Sequence, residues 1–256
     1  MTYLEATVLA VVQGLTEFLP ISSSGHLALA EHLLGMKDLE RNLTVTLLLH
    51  LASLAAVFLY YRRRLWEFVG GRRREFAYLV LATLPIVAVG ALLEKRIESV
   101  HGMPALICAM LVVNGVFLWA SDRWGRGTQM LADAPGWKAL VVGLAQGLRL
   151  PGLSRSGSTI GTGWLVGLDR AEAVRFSFLL SIPAVLGAVV WKSRKIDFRT
   201  IDLPWGPTIL ALALTFALSL ASIRVVELLA TGRKWLVFAV YSVVVGGAGL
   251  VYFLVF

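Results

Sequence analysis

The sequence is poor in charge and almost without cysteine. Only 16% of its 256 residues are charged and 57% are hydrophobic, whereas soluble domains average about 25% charged and about 45–50% apolar residues. This shortage of charge excludes an ordinary soluble domain. The one cysteine, Cys108, excludes a disulfide framework and a thiolate metal cluster within one chain. We expect Cys108 to be a small buried packing residue.

Acidic residues are also scarce relative to basic ones. The chain has 24 Lys and Arg against 16 Asp and Glu, a formal charge of +8. In a soluble protein this excess would raise the question of nucleic acid. Between membrane spans, basic residues usually report topology through the positive-inside rule, so we expect membrane lipids and no nucleic acid as partners. Six arginines, at 62–64 and 72–74, crowd the short segment 62–75 between two apolar stretches. The positive-inside rule predicts that this segment lies on the cytoplasmic side.

Long apolar stretches are abundant, and about 20 such residues cross a bilayer core. Two stretches, 4–36 and 138–168, are broken by tips rich in Pro, Ser and Gly. Irregular backbone at membrane depth is tolerated only inside protein or a wet cavity, so these two predict re-entrant helix pairs. The sequence therefore predicts an all-α polytopic membrane protein, with six full transmembrane helices and two re-entrant pairs in a single integral membrane domain, residues 1–256. The six uninterrupted stretches are 43–61, 76–93, 104–121, 172–192, 206–224 and 235–256.

The two broken regions resemble each other. Gln-Gly-Leu at 13–15 precedes Pro20 and Ser-Ser-Ser-Gly, and Gln-Gly-Leu at 146–148 precedes Pro151 and Ser-Arg-Ser-Gly. Three spans follow each region, so each half, about 1–121 and about 138–256, crosses the membrane an odd number of times. This predicts an inverted repeat, which places a site between its halves near the midplane. A chance match of short Gly and Ser motifs is the alternative.

Ionisable side chains are rare inside these apolar segments, where they are expensive and usually functional. Glu17 lies four residues after Gln13, so on a helix both side chains emerge from one face toward the broken tip. Two oxygen donors together suit a divalent cation, Mg²⁺ or Ca²⁺, whose other ligands are waters and phosphate oxygens. The alternative is that Glu17 only forms a structural ion pair with Arg155.

The second tip has the composition of a phosphate-binding loop. Its glycines permit close backbone approach, its hydroxyls donate, and a helix beginning near Ser156 presents unpaired N–H groups to an anion. Arg155 adds a permanently charged planar fork that matches phosphate oxygens. This combination favours phosphate binding over a simple helix cap.

The first tip repeats the arrangement, with three serines followed by His26. Histidine can act as a nucleophile or proton carrier near neutral pH, and serine as a nucleophile when a base lies within reach. His26 is therefore a candidate catalytic residue, with a hydrogen-bonded packing role as the alternative. We expect His50, within a span, to hydrogen bond between helices instead.

The two tips and one further stretch resemble the signature sequences of the bacterial undecaprenyl-diphosphate phosphatase family, which is associated with bacitracin resistance. The stretches are QGLTEFLPISSSGH at 13–26, PGLSRSGST at 151–159 and FSFLLSIP at 176–183. The resemblance implies an enzyme that removes the terminal phosphate of undecaprenyl diphosphate and so regenerates the lipid carrier for peptidoglycan and other envelope polymers. It also implies the bacterial plasma (inner) membrane, with an active site facing the outer side.

Carried over residue by residue, the resemblance makes Glu17 the acidic member of a metal-associated motif and Arg155 the phosphate clamp. His26 with Ser22 and Ser23 becomes the catalytic group. The attacking atom stays open between Ser23, His26 and a metal-bound water. Many members have Glu where this chain has Gln13, which makes Gln13 a weaker candidate for a metal ligand. The residues expected to bind the substrate phosphates are Ser22, Ser24, Ser154, Arg155, Ser156 and Thr159.

Two other functions fit parts of the pattern. Ser24-Gly25-His26 imitates a motif of acid-phosphatase-like lipid phosphatases, but the other ordered motifs of that superfamily do not follow. Inverted repeats with broken helices are also typical of secondary transporters, so a lipid flippase or secondary transporter using the same cavity is the alternative. The expected partner is a polyprenyl diphosphate lipid, and a homodimer is a further expectation.

Overall fold

The computed structural model describes residues 1–36, 39–71, 73–147, 150–194, 203–232 and 234–255. Its regular elements are α-helices and one short 3₁₀ turn, Leu131–Asp133, so the all-α class is confirmed. The first six helices are α1 Tyr3–Thr16, α2 Ser23–Leu33, α3 Leu39–Tyr60, α4 Arg62–Gly70, α5 Arg73–His101 and α6 Pro104–Trp124. The remaining helices are α7 Gly136–Gly147, α8 Arg155–Leu165, α9 Arg170–Ser193, α10 Trp205–Thr231 and α11 Leu236–Val255.

Within the described ranges, five helices are long and apolar enough to cross a membrane. They are Leu43–Tyr60 of α3 together with α6, α9, α10 and α11. The chain is therefore a multi-pass helical membrane protein. The sixth predicted span, 76–93, falls in α5, a helix of 29 residues, and the side chains at 91 and 93 lie outside the described residues.

Helix α10 is longer than its apolar stretch predicted. The stretch was expected to end at Arg224, yet the helix continues to Thr231. Glu227 accepts hydrogen bonds from the hydroxyls of Tyr60, at 2.7 Å, and Tyr61, at 2.6 Å. These bonds accommodate the charge on the extra turns of the helix.

Both predicted interruptions are present. The first tip, residues 17–22, separates α1 from α2, and the second tip, of which the structure describes residues 150–154, separates α7 from α8. Each following helix begins at a serine cap: Ser22 Oγ accepts from the backbone N of Gly25 at 3.3 Å, and Ser154 Oγ accepts from that of Gly157 at 3.0 Å. Such caps satisfy one of the unpaired N–H groups at a helix start.

The helices of the two halves are interleaved. Helix α1 packs against α10 and α7 packs against α5, while α6 packs along α11. The interfaces rely on glycine, because a Cβ on Gly14 would lie 2.8 Å from the Cβ of Leu218, and one on Gly143 would overlap the carbonyl oxygen of Ala82. Small residues let membrane helices approach this closely. Cys108 is fully buried, as expected.

Candidate active site

The two tips contact each other directly. The backbone N of Gly152 donates to Ser22 Oγ at 3.1 Å, and Ser156 Oγ donates to the carbonyl of Leu19 at 3.2 Å. A Cβ on Gly25 would lie 2.9 Å from the backbone N of Gly152. Gly152 has a φ of 99°, a backbone conformation that glycine adopts readily and other residues do not. The broken ends of the two helix pairs therefore form one junction.

Glu17 lies at this junction and is 7% exposed. Its Oε1 accepts from Arg155 Nη2 at 2.8 Å. Its Oε2 accepts from Ser23 Oγ at 2.7 Å and from Gln13 Nε2 at 3.2 Å, and His50 Nε2 lies 3.6 Å away. Because a buried charge is costly unless it is paired and hydrogen-bonded, these contacts explain how a carboxylate is retained there. The structure thus brings together four of the expected site residues: Glu17, Arg155, Gln13 and Ser23.

Arg155 carries a donor that no described residue accepts from. Its side chain is 8% exposed, and its buried Nη1 has no hydrogen-bond partner among the described residues. Leaving a buried donor unsatisfied costs about 1–3 kcal/mol. Arg155 is also the first residue of α8, where backbone N–H groups lack intrahelical partners. An anion at this point would satisfy both kinds of donor.

Gln13 has a side-chain acceptor to which no described group donates. The residue is fully buried, and this acceptor is its amide oxygen, Oε1. Its amide nitrogen is occupied by Glu17 and, at 3.4 Å, by Ser53 Oγ. A carboxylate beside a free amide oxygen fits part of the oxygen shell that Mg²⁺ or Ca²⁺ takes. The described residues contain no group of three His, Cys, Asp or Glu that could hold a metal, so phosphate and water would supply the other ligands.

The remaining expected phosphate-binding hydroxyls bond mainly within the tips. Ser22 Oγ lies 3.5 Å from Ser24 Oγ, and Ser154 Oγ lies 3.0 Å from Ser156 Oγ. Thr159 Oγ1 donates to the carbonyl of Arg155 at 2.8 Å and lies 2.6 Å from the Oγ of Ser177 on α9. These bonds fix the backbone around Arg155. Ser23 differs, because its hydroxyl donates to Glu17.

The ring of His26 is held at both nitrogens. Its Nδ1 lies 2.8 Å from the carbonyl of Ser22, which only accepts, so Nδ1 carries a proton. Its Nε2 lies 3.0 Å from the hydroxyl of Tyr241 on α11, and the two rings stack at 5.7 Å. Both ring nitrogens of His26 thus have partners other than Ser23, and the Ser23 hydroxyl donates to Glu17 instead.

The sequence argument missed several residues that shape the junction. Asn114 on α6 donates to the carbonyl of Pro20 at 2.8 Å and accepts from the backbone N of Ser154 at 3.0 Å. Tyr241 and Ser53 also contact site residues. The available signal was a polar side chain inside an otherwise apolar span, which in membranes usually has a specific partner.

Comparison with known proteins identifies the chain's relatives. The family described as bacitracin resistance protein BacA matches residues 6–248. A protein of Alcanivorax borkumensis named undecaprenyl-diphosphatase is 40% identical over 261 residues, which is 97% of this chain and 98% of that protein. Proteins with the same name from Gemmatimonas aurantiaca and Moorella thermoacetica are 39% identical over 263 residues and 40% identical over 222 residues. These alignments cover 96% of both chains and 83% of this chain with 84% of the relative, respectively. The chain therefore belongs to the BacA family of bacitracin resistance proteins.

Proposed function

We propose that this protein hydrolyses undecaprenyl diphosphate to undecaprenyl phosphate and inorganic phosphate. The reaction follows from the family and from the name its relatives carry. The observation that carries it is the free Arg155 Nη1, buried where Glu17 and Ser23 meet. Phosphoryl transfer depends chiefly on positioning and on neutralising phosphate charge, and this junction supplies both. Regenerating the lipid carrier accounts for a role in cell-wall synthesis and bacitracin resistance.

Ser23 is the nucleophile that the geometry favours. Its Oγ donates to Glu17 Oε2 at 2.7 Å, so the carboxylate can take the hydroxyl proton as Oγ attacks the terminal phosphorus. A serine O–P bond forms, the bond from that phosphorus to the bridging oxygen breaks, and undecaprenyl phosphate leaves with the bridging oxygen. Water then attacks the phosphorus of the phosphoserine, the O–P bond to Ser23 breaks as Ser23 Oγ takes back the proton held by Glu17, and inorganic phosphate leaves with both protons of the water.

Arg155 binds the terminal phosphoryl group in this proposal. Its Nη1 and the first backbone N–H groups of α8 donate to phosphate oxygens. Ser22, Ser24, Ser154, Ser156 and Thr159 shape the two loops around that group. His26 stays a candidate catalytic residue, although as a nucleophile it would first have to break its hydrogen bond to Tyr241.

A divalent cation, Mg²⁺ or Ca²⁺, is part of the proposal. Glu17 and the free Oε1 of Gln13 would hold it, as the unpaired amide oxygen suggests. The cation would neutralise negative charge on the diphosphate.

We further propose the complete membrane arrangement. Six helices span the bacterial plasma membrane, with 76–93 of α5 as the sixth, and the pairs α1–α2 and α7–α8 are re-entrant. The interleaved packing of α1 on α10 and α7 on α5 supports an inverted repeat of halves 1–121 and 138–256. The site then opens to the outer side. The homodimer stays a prediction, which light scattering in detergent would check.

Orientation can be tested with a cysteine-free background, Cys108→Ser. New cysteines at Arg63 and Met103, exposed residues at the two ends of the α4–α5 segment, are labelled in intact cells with a membrane-impermeant maleimide. The arrangement requires labelling at 103 and not at 63. The reverse labelling pattern would place the opening of the site on the cytoplasmic side.

Phosphate release from purified protein in detergent tests the reaction itself. Detergent removes compartments, so a flippase or transporter would release nothing, whereas a hydrolase releases inorganic phosphate from undecaprenyl diphosphate. Ser23→Ala is the matched control, because it removes one oxygen and leaves Glu17 and Arg155 paired. Phosphate release no greater than that of detergent solution without protein would overturn the proposed reaction, whereas equal release by wild type and Ser23→Ala would overturn only the role of Ser23. Neither the family nor the relatives' names support the flippase or transporter alternative.

A further inference from the structure

Asn114 bonds to both tips from a helix that belongs to neither. It lies in α6, one of the apolar spans, and its side chain is 1% exposed. Nδ2 donates to the carbonyl of Pro20 in the first tip at 2.8 Å, and Oδ1 accepts from the backbone N of Ser154 in the second tip at 3.0 Å. Nδ2 also donates to Ser242 Oγ on α11 at 3.2 Å.

The two bonded backbone positions lie next to the reacting groups. Ser154 caps α8 and directly precedes Arg155, while Pro20 lies three residues before Ser23. Arg155 and Ser23 meet on the two oxygens of Glu17. Any sliding of one tip past the other therefore changes where the guanidinium sits relative to the hydroxyl.

We infer that Asn114 is a positioning residue that fixes the register of the two tips. An amide suits this role because it donates and accepts at once, whereas a carboxylate cannot donate and an aliphatic side chain does neither. A polar side chain within an apolar span has to be compensated by hydrogen bonds, and three are present. The inference rests on the proposed function, since the register matters only if the junction is the reaction site.

Two variants and one matched control separate positioning from packing. Asn114→Ala removes both links to the tips, and Asn114→Leu removes them as well while keeping a side chain of similar size. Ser242→Ala removes the third hydrogen bond of Asn114 and leaves both tips bonded. Each protein is purified as a monodisperse species, and its thermal midpoint is recorded before phosphate release from undecaprenyl diphosphate is measured.

We expect Asn114→Ala to lower kcat by 10- to 100-fold per folded molecule with KM changed less than threefold, because misplacement of about 1 Å can cost on the order of 100-fold in rate. Asn114→Leu should lose a comparable amount, and it carries the test if Asn114→Ala does not fold. Ser242→Ala should stay within twofold of the wild type. Amide hydrogen exchange adds a readout that needs no substrate: both tips should exchange faster in Asn114→Ala and neither should in Ser242→Ala.

Retention of kcat within twofold by both folded Asn114 variants would overturn the inference, and so would an equal loss in Ser242→Ala. Faster exchange in one tip alone would also overturn the inference, because loss of a residue that bonds to both tips should speed exchange in both. Failure of the wild type to release phosphate would instead overturn the proposed function. The exchange experiment would then still decide whether Asn114 joins the tips.

Discussion

Replacing Arg155 separates a phosphate clamp from a structural ion pair. In Arg155→Lys the charge remains but the planar fork is lost, so one ammonium has to serve both Glu17 and the substrate. A hydrogen bond to a charged group contributes about 1.5–3 kcal/mol, and about 1.4 kcal/mol corresponds to tenfold in rate. We therefore expect Arg155→Lys to lose about 10- to 100-fold in phosphate release, and Arg155→Ala, which also loses the positive charge, to lose more than Arg155→Lys.

Folding has to be controlled, because Arg155→Ala also leaves Glu17 without its 2.8 Å partner. Breaking a buried ion pair costs about 3–5 kcal/mol. The double variant Arg155→Ala/Glu17→Gln removes both charges and should recover folded yield without recovering activity. Phosphate release is measured per monodisperse molecule for all three variants. Full specific activity in Arg155→Ala, with only the yield reduced, would show that Arg155 is structural and refute the phosphate site.

Further predictions concern residues around the same junction. Glu17→Gln should abolish phosphate release while the protein still folds, and near wild-type activity at saturating Mg²⁺ would remove Glu17 from the mechanism. Gln13→Glu should lower the Mg²⁺ concentration that gives half-maximal activity and Gln13→Ala should raise it; an unmoved activation curve would make Gln13 a packing residue. Gly152→Ala should lower the thermal midpoint and the activity, because φ is 99° and the new Cβ meets the carbonyl of Ile107. Gly90→Ala is its control and should lower neither, because the added carbon meets no described atom within 4 Å beyond its chain neighbours and the nearby backbone of its own helix.

Hydropathy and local motifs predicted the helical class, five of the six expected spans and both interruptions, because these depend on residues close together in the chain. The proximity of Glu17 and Arg155, 138 residues apart, followed from the likeness of the two tips. The contacts of Asn114 and Tyr241 did not follow, since their partners lie on other helices up to 215 residues away. Nor did the last turns of α10, where Tyr60 and Tyr61 compensate the charge of Glu227.

The interleaving of the halves makes the junction a late event in biosynthesis. Helix α1 has 14 residues, too few to span a bilayer, and Gly14 packs on Thr215 and Leu218 of α10. About 200 residues separate these partners, so at about 5–20 residues per second the ribosome delivers α10 roughly 10–40 s after α1. Until then α1 lacks the helix on which Gly14 packs, and the first tip is without its partner until residues 150–154 of the second tip have been made. A nascent chain released after α6 would hold Glu17 within the membrane without Arg155, the permanently charged partner of its carboxylate.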